Sequence, residues 1–483
     1  MSIAIKSIDL NVLNMKARMP FRYGIASLVA VPHLFVRATA EIDGRREVGL
    51  AADGLPPKWF TKNPDASFED DLAEMLAVIR QACRLSLVAD PAESVYGFWR
   101  EIYNGQEEWA ASTPYPPLLW AFGVSLVERA LIDAFCRATG AAFGIALREN
   151  AFGLRMREIQ PDLEGVEPRS LLPERASRSI LARHTVGLTD PLTDAEISTD
   201  ERVDDGLPQS LEAGIQAYGL SHLKIKLCGD SDQDAERLRD IAGLMERHSG
   251  SGYAFTLDGN EQYAEMDPFR ALWESIAAEP SLDGFMGRLL FVEQPLRRDV
   301  ALGAAVGRAL RDWPDRPPMI IDESDGTLTS AAEALELGYA GTSHKNCKGI
   351  FKGVASACLI ADRRKRDPGR AYVLSSEDLG NVGPVALLQD LAVAASLGVG
   401  HTERNGHHYF TGLSMYPRDV QAQVLRHHGA LYRRHEAGFP TLDVRGGRLD
   451  IGSVVDAPFG YGFDLDTTRF TPLEDWSAAS LDL

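Results

Sequence analysis

The first forty or so residues alternate between apolar and polar positions. The alternation runs from Ser2 to Leu13 and again from His33 to Ile42, with an Asp43-Gly44 turn signal after the second run. A period of two turns one face of each segment inward, so the pattern predicts strands of a small antiparallel sheet. Then the period changes. From Phe68 to Leu85 and from Leu118 to Cys136 apolar residues recur at three- and four-residue spacing, which predicts helices. Strands followed by helices describe an α+β unit, taken as residues 1–170, and the charged, proline-containing stretch from Arg155 to Pro173 reads as a linker or loop.

From about Ser179 the texture becomes short apolar runs alternating with Ala/Leu-rich helical stretches. The runs at Ile180–Leu188, Leu223–Leu227, Ala254–Leu257, Leu289–Val292, Met319–Ile321, Gly341–His344, Ala371–Leu374 and Leu397–His401 make eight candidate strands. Eight such units predict an α/β fold, a (β/α)8 TIM-type barrel over residues 171–425 with the α+β unit as a capping domain. The segment 426–483 returns to strands and turns, with a hairpin pattern at Asp443–Leu449 and a tight loop at Pro458–Gly462. It is expected to pack back on the capping domain.

Composition agrees with a large folded chain. Of 483 residues, 45% are hydrophobic and 25% charged, which excludes overall disorder. The formal charge of −19 repels phosphate backbones, and the one tight basic run, Arg363–Arg366, reads as a solvated surface turn, so no nucleic-acid partner is expected. No membrane partner is expected either. The longest uncharged apolar stretch, Leu118 to Val127, is about half of the ~20 residues a span needs, and charges at Lys6 and Asp9 break any N-terminal signal. Five scattered cysteines without a CxxC pair fit a reducing, cytoplasmic setting.

Three carboxylates end three successive candidate strands: Asp258 in Thr-Leu-Asp-Gly-Asn, Glu293 in Phe-Val-Glu-Gln-Pro and Asp322 in Ile-Ile-Asp-Glu-Ser. Separations of 35 and 29 residues are each about one βα unit, so neighbouring strands aim three oxygen donors at one point on the C-terminal rim. Hard anionic donors in an open set suit Mg²⁺. A single strand-end acid would more simply be a helix cap; three in register favour a metal. On the preceding strand, His-Leu-Lys-Ile-Lys-Leu puts Lys224 and Lys226 on one face. If that face points inward, repulsion between two buried ammonium groups lets one act as a base, whereas outward lysines would merely blunt an edge strand. A second cluster, Ser343–Gly349, follows the sixth strand, roughly opposite the second. It offers Lys345, with Lys348 or His344 as alternatives, on the other face of a bound substrate.

These motifs in this order resemble the enolase superfamily, and most closely its muconate lactonizing enzyme and mandelate racemase branch. Ser125–Ala134 resembles the family's helix linking cap to barrel, and Met19–Gly24 its mobile cap loop. The resemblance implies a capping domain on a modified barrel, an essential Mg²⁺, and removal of a proton α to a carboxylate to give a metal-stabilised enolate. Carried onto this chain, it implies Asp258, Glu293 and Asp322 as metal ligands, Lys226 as acid/base catalyst, Lys345 as the opposing lysine, and Lys224 as a residue that tunes Lys226 or meets the substrate carboxylate. Arg22, Tyr23, Asn260, Lys348, Glu377 and His401 are the expected substrate contacts, with Lys58 and Trp59 of the Asp53–Pro64 segment as further cap residues.

The chain departs from known members in several places. Leu374–Asp378 has no histidine, so the His/Asp dyad of mandelate racemase-type enzymes is missing, and Gly400–Asn405 lacks the paired aspartates of dipeptide epimerases. The stretch Asp190–Gly206 is extra length. The expectation is therefore a racemase, epimerase or cycloisomerase of a small-molecule carboxylate, with dehydration of a hydroxy acid as the alternative, His401 or Lys345 protonating the leaving hydroxide. A glycosidase using Glu293 and Asp322 leaves the paired lysines without a role. A non-catalytic barrel binding protein is the remaining rival. Capped barrels often form homo-oligomers, but the sequence singles out no interface.

Overall fold

The structure is a computed structural model and describes residues 1–23, 25–250 and 252–481. Strands β1 (Ile3–Tyr23), β2 (Ala26–Ile42) and β3 (Arg45–Gly54) form an antiparallel sheet in that order. Asp43 and Gly44, both at positive φ, make the β2–β3 turn, the backbone these two residue types adopt most readily. β1 is longer than the alternation predicts. After a bulge between Lys16 and Phe21 it pairs Phe21, Arg22 and Tyr23 with Leu28, Ser27 and Ala26. The described part of the Met19–Gly24 motif is thus strand and not a mobile loop, its backbone held by a ladder to β2; Gly24 lies outside the described residues.

Three helices pack with this sheet: α1 (Phe68–Val88), α2 (Val95–Ala110) and α3 (Pro117–Thr139). α3 is apolar nearly all round and buried from Leu118 to Cys136, which suits a helix enclosed on every side. The packing is close enough to require glycine. A Cβ on Gly49 would stand 2.0 Å from the Ala130 carbonyl oxygen, and one on Gly123 would stand 2.3 Å from that of Val78. Two charged residues of α3 are paired outward from the helix. Arg129 Nη2 donates to Asp53 Oδ2 at 2.8 Å, in the cap sheet. Glu128 accepts from the N–H groups of Ile350 at 2.9 Å and Phe351 at 2.8 Å, in the first turn of the barrel helix Ile350–Arg366. One helix therefore joins cap and barrel.

All eight runs are strands: β4 (Ser179–Val186), β5 (His222–Lys226), β6 (Ala254–Asp258), β7 (Leu289–Glu293), β8 (Met319–Ile321), β9 (Gly341–His344), β10 (Val373–Ser376) and β11 (His401–Arg404). They are parallel, in the order β10-β9-β8-β7-β6-β5-β4-β11, a modified TIM-type barrel. Between β10 and β11 the Thr402 hydroxyl donates to the Ser376 carbonyl at 3.1 Å, where the other neighbours share a backbone ladder. The last two strands lie later than predicted because Leu397 caps the helix Ala386–Ser396 and Gly398 turns the chain at positive φ before β11 begins.

Other expectations are corrected. The Arg155–Pro173 stretch buries Met156, Ile159 and Leu163 through short 3₁₀ turns, and these apolar anchors make it part of the packed core instead of a free linker. Arg363–Arg366 is the last turn of a helix, where cations complement the carbonyl end of the dipole. The tail divides its pairing: Arg448–Asp450 adds antiparallel to β4, whereas Thr471–Pro472 adds to β1. No helix among the described residues is long and apolar enough to cross a membrane.

Candidate active site

Strand alternation on β5 sends Leu223 and Ile225 to the surrounding helices and both lysines into the barrel. Lys224 Nζ lies on the axis, 3.1 Å from Asp258 Oδ2, 3.0 Å from Glu293 Oε1, 2.9 Å from Glu377 Oε2 and 3.0 Å from Glu403 Oε2. Burial works to lower its pKa, but these four carboxylates outweigh burial and hold it well above the lysine range. It is a fixed cation. Lys226, two residues on, reaches higher: its Nζ is 2.5 Å from Asp258 Oδ2 and donates to Asn260 Oδ1 at 2.7 Å. Asn260 adopts positive φ there, a conformation asparagine tolerates, and it lines the same chamber.

Across the barrel the structure separates the three candidates at and just after the end of β9. Only Lys345 lines the chamber, with Nζ 2.9 Å from Asp322 Oδ2, 3.2 Å from Glu377 Oε2 and 4.7 Å from the centre of the Trp59 ring. Burial is again outweighed, here by Asp322 and Glu377, so its pKa sits well above the ordinary value. Lys348 does not reach the chamber. Its Nζ donates beneath it, to Asp322 Oδ1 at 2.7 Å and to the Asp322 and Ser343 carbonyls, so the expected substrate contact is a prop under a carboxylate. His344 is buried with Nε2 2.9 Å from Asn346 Oδ1, and burial lowers its pKa to about 4.

Glu293, Asp322 and Glu377 each bring an oxygen within 4.8 Å of the others. Asp258 completes the rim but is turned toward Lys226 and Lys224. Burial and the neighbouring Glu377 push Glu293 well above the carboxylate range, while Lys345, Lys348 and Lys224 overcome burial to hold Asp322 well below it. A buried carboxyl raised by its neighbours, within an all-oxygen donor set, is what a divalent cation stabilises. Among the described residues it is Glu293, Asp322 and Glu377 whose oxygens stand close enough to share such an ion, and Asp258, expected as the third ligand, is not in that group.

The remaining expected contacts fall elsewhere. Glu377 is buried below the chamber, where it accepts from Arg183 Nη2 at 2.7 Å through Oε1 and meets both Lys224 and Lys345 through Oε2. Its substrate role is replaced by ion pairing, because its short reach from β10 ends inside the barrel. His401 opens β11 and so lies at the opposite, N-terminal end, with Nδ1 2.7 Å from Arg183 Nη1. It cannot serve as an acid at the C-terminal rim. Tyr23 does line the chamber and donates to the Pro57 carbonyl at 2.9 Å, while Trp59 lids Lys345. Arg22 lines a second, outer chamber.

Several site residues were not anticipated. Glu403, at the end of β11, accepts from Thr185 Oγ1 at 2.5 Å and from Asn405 Nδ2 at 2.9 Å. Glu323 faces the chamber, pushed up to about 7 by burial and by Asp322 and Glu261. Arg183, fully buried on β4, was hidden within an apolar run. The signal existed: a charged residue inside a buried parallel strand needs a partner across the barrel.

No family model matches the chain, and no curated protein matches it. Solved structures do match in fold. A muconate lactonizing enzyme from Pseudomonas fluorescens, complexed with muconolactone, is 16% identical over 96% of this chain and 98% of its own, with a TM-score of 0.59. A dipeptide epimerase from Enterococcus faecalis is 13% identical over 93% and 97%, with a TM-score of 0.57. An enolase from Bradyrhizobium complexed with magnesium and mandelic acid is 14% identical over 93% of each chain, with a TM-score of 0.55. The capped barrel described above is thus the fold that these solved structures share.

Proposed function

We propose that the protein is a Mg²⁺-dependent isomerase that removes and returns a proton α to the carboxylate of a small acid, giving racemisation, epimerisation or cycloisomerisation. The observation that carries this reading is that Lys226, against Asp258, and Lys345, against Asp322, line one chamber from separate sides. In this reading Glu293, Asp322 and Glu377 hold the ion. What a divalent cation supplies when bound is a sink for the charge that appears on the substrate carboxylate as the proton leaves.

The chain's own residues do the rest. Lys226 Nζ accepts the α-proton and Lys345 Nζ returns one from the opposite face, the division of labour a 1,1-proton transfer needs. Trp59 covers Lys345 and keeps bulk water from it. Lys224, saturated by four carboxylates, fixes the frame and moves no proton. Elimination of water is less well served by the expected residues, since His401 is at the other end of the barrel. Fold relatives that act as epimerases and lactonizing enzymes, and one that binds magnesium with mandelic acid, support the same reading.

Incubation with Mg²⁺ in D₂O against hydroxy acids, acid sugars, N-acylamino acids and lactones tests it. Metal-dependent deuterium uptake without loss of water is expected, and Lys226→Ala should slow it by about 10²-fold or more. No uptake from any acid, combined with no Mg²⁺ binding by calorimetry, would overturn the assignment in favour of a binding protein.

A further inference from the structure

The site has two compartments. The inner chamber, between Lys226 and Lys345, offers only about 70 Å³, whereas the outer one offers about 590 Å³. Tyr23, Lys62, Lys226, Asn260 and Glu261 line both, so the two are continuous. At roughly 10–15 Å³ for each water, the inner space takes the reacting end of a small molecule and little more. The rest of the substrate must lie outside.

The charges of the outer chamber favour one kind of occupant. Its lining includes Arg22, Lys62 and Lys226 against the single acid Glu261, in a chain whose formal charge is −19. Glu261 is already held by Arg298 through both oxygens, at 2.7 and 2.8 Å, and also lies 3.3 Å from Lys62 Nζ. Lys226 is matched by Asp258. Lys62 is anchored by donating to the Asn260 carbonyl at 2.6 Å. Arg22 has no ion-pair partner within 4 Å among the described residues; its one side-chain hydrogen bond is Nη1 to Thr189 Oγ1 at 3.3 Å. Asp190, behind the wall, accepts through Oδ2 from the Gly187 N–H at 2.7 Å and the Tyr409 hydroxyl at 2.8 Å, and its charge acts on Arg22 without a direct contact. A guanidinium left exposed in a cavity with surplus positive charge is arranged for an anionic oxygen group.

We propose that the substrate carries a second anionic group, remote from the carbon that loses its proton, and that Arg22 binds it in the outer chamber with Lys62 adding field. This rests on the isomerase reading for the position of the reacting end. A carboxylate and a phosphate share the required chemistry.

Calorimetry on the full chain with Mg²⁺ separates the cases. The probes are straight-chain monocarboxylates and dicarboxylates of equal carbon count, from five to eight carbons, with 5-phosphonopentanoate as the phosphate-like arm. At one chain length the dianion should bind about fivefold or more tighter than its monoanion, an advantage that shrinks with added salt. The advantage should vanish in Arg22→Ala and partly return in Arg22→Lys; the better of the two dianions names the group. Equal binding of mono- and dianions, no binding of either, or a preference that survives in Arg22→Ala would overturn the proposal. The same acids are then followed in D₂O. A dianion preference that depends on Arg22 without any deuterium uptake would uphold the anion site while removing the isomerase reading.

Discussion

The cap and the barrel solve the problem of an interior in opposite ways. The cap sheet and its helices bury Leu34, Phe35, Val36, Ile79 and Phe122 against one another, and a fully buried ion pair there, Arg129 with Asp53, is tied to the sheet through the Ala52 carbonyl as well. A typical barrel interior is layered with Val, Ile and Leu. Here the upper barrel instead buries Arg183, Lys224, Lys345 and Lys348 with Asp258, Glu293, Asp322, Glu377 and Glu403. Charges removed from water are costly even when paired, so this half of the molecule gives up stability that apolar packing would provide. Cap burial is a matter of folding, whereas the barrel charges make sense as the equipment of a reaction.

The contrast can be broken first at Lys224. In Lys224→Met four carboxylates lose their common cation, and a loss of about 3–5 kcal/mol is expected by urea unfolding. Millimolar Mg²⁺ should restore part of the melting temperature of this variant and raise it more than that of the parent. An apolar variant as stable as the parent would show that the barrel charges are not mutually dependent.

The matching change in the cap, Leu34→Ala, should cost about 3 kcal/mol through lost burial and a cavity. Its effect should be the same with and without Mg²⁺. A magnesium-sensitive loss there would mean that the two interiors are coupled more tightly than their chemistry suggests.

The junction between them gives a pH test. Burial pushes the Glu128 carboxyl up to about 7, against the helix N–H groups of Phe351 and Ile350 that favour its charge. A folded pKa above the unfolded value near 4.5 means that this group's contribution is fully present below about pH 4.5 and is lost as pH rises through about 7. The parent should therefore lose on the order of 2–3 kcal/mol relative to Glu128→Gln between pH 4.5 and 8, measured as the difference between their unfolding free energies. Parallel profiles would show that Glu128 titrates as an ordinary surface acid.

Periodicity and spacing are local properties, and they were sufficient for much of this. The β2 alternation, the helices α1 and α3 and the eight barrel strands follow from where apolar residues recur along the chain. The same holds for Asp258, Glu293, Asp322 and Lys226, whose strand-end positions are fixed by the βα repeat. Errors came where a residue's reach or depth mattered. Lys345, Lys348 and His344 lie within five residues of one another, and only the path of the short turn Asn346–Lys348 decides which one faces the chamber. His401 and Glu403 are two residues apart on one strand, yet they lie at different depths of the barrel, because each residue advances about 3.3 Å along it. Arg183, Glu377 and Lys224 come from β4, β10 and β5, and nothing local to any of them specifies the others.

Sequence alone thus determined the capped barrel, its rim of carboxylates and its inward lysines, since each depends on a repeat that the chain carries in one dimension. Only the tertiary structure decided which charges face one another across the ring, how narrow the inner chamber is and that Arg22 stands unpaired in the outer one, because those depend on distances between residues far apart in the chain.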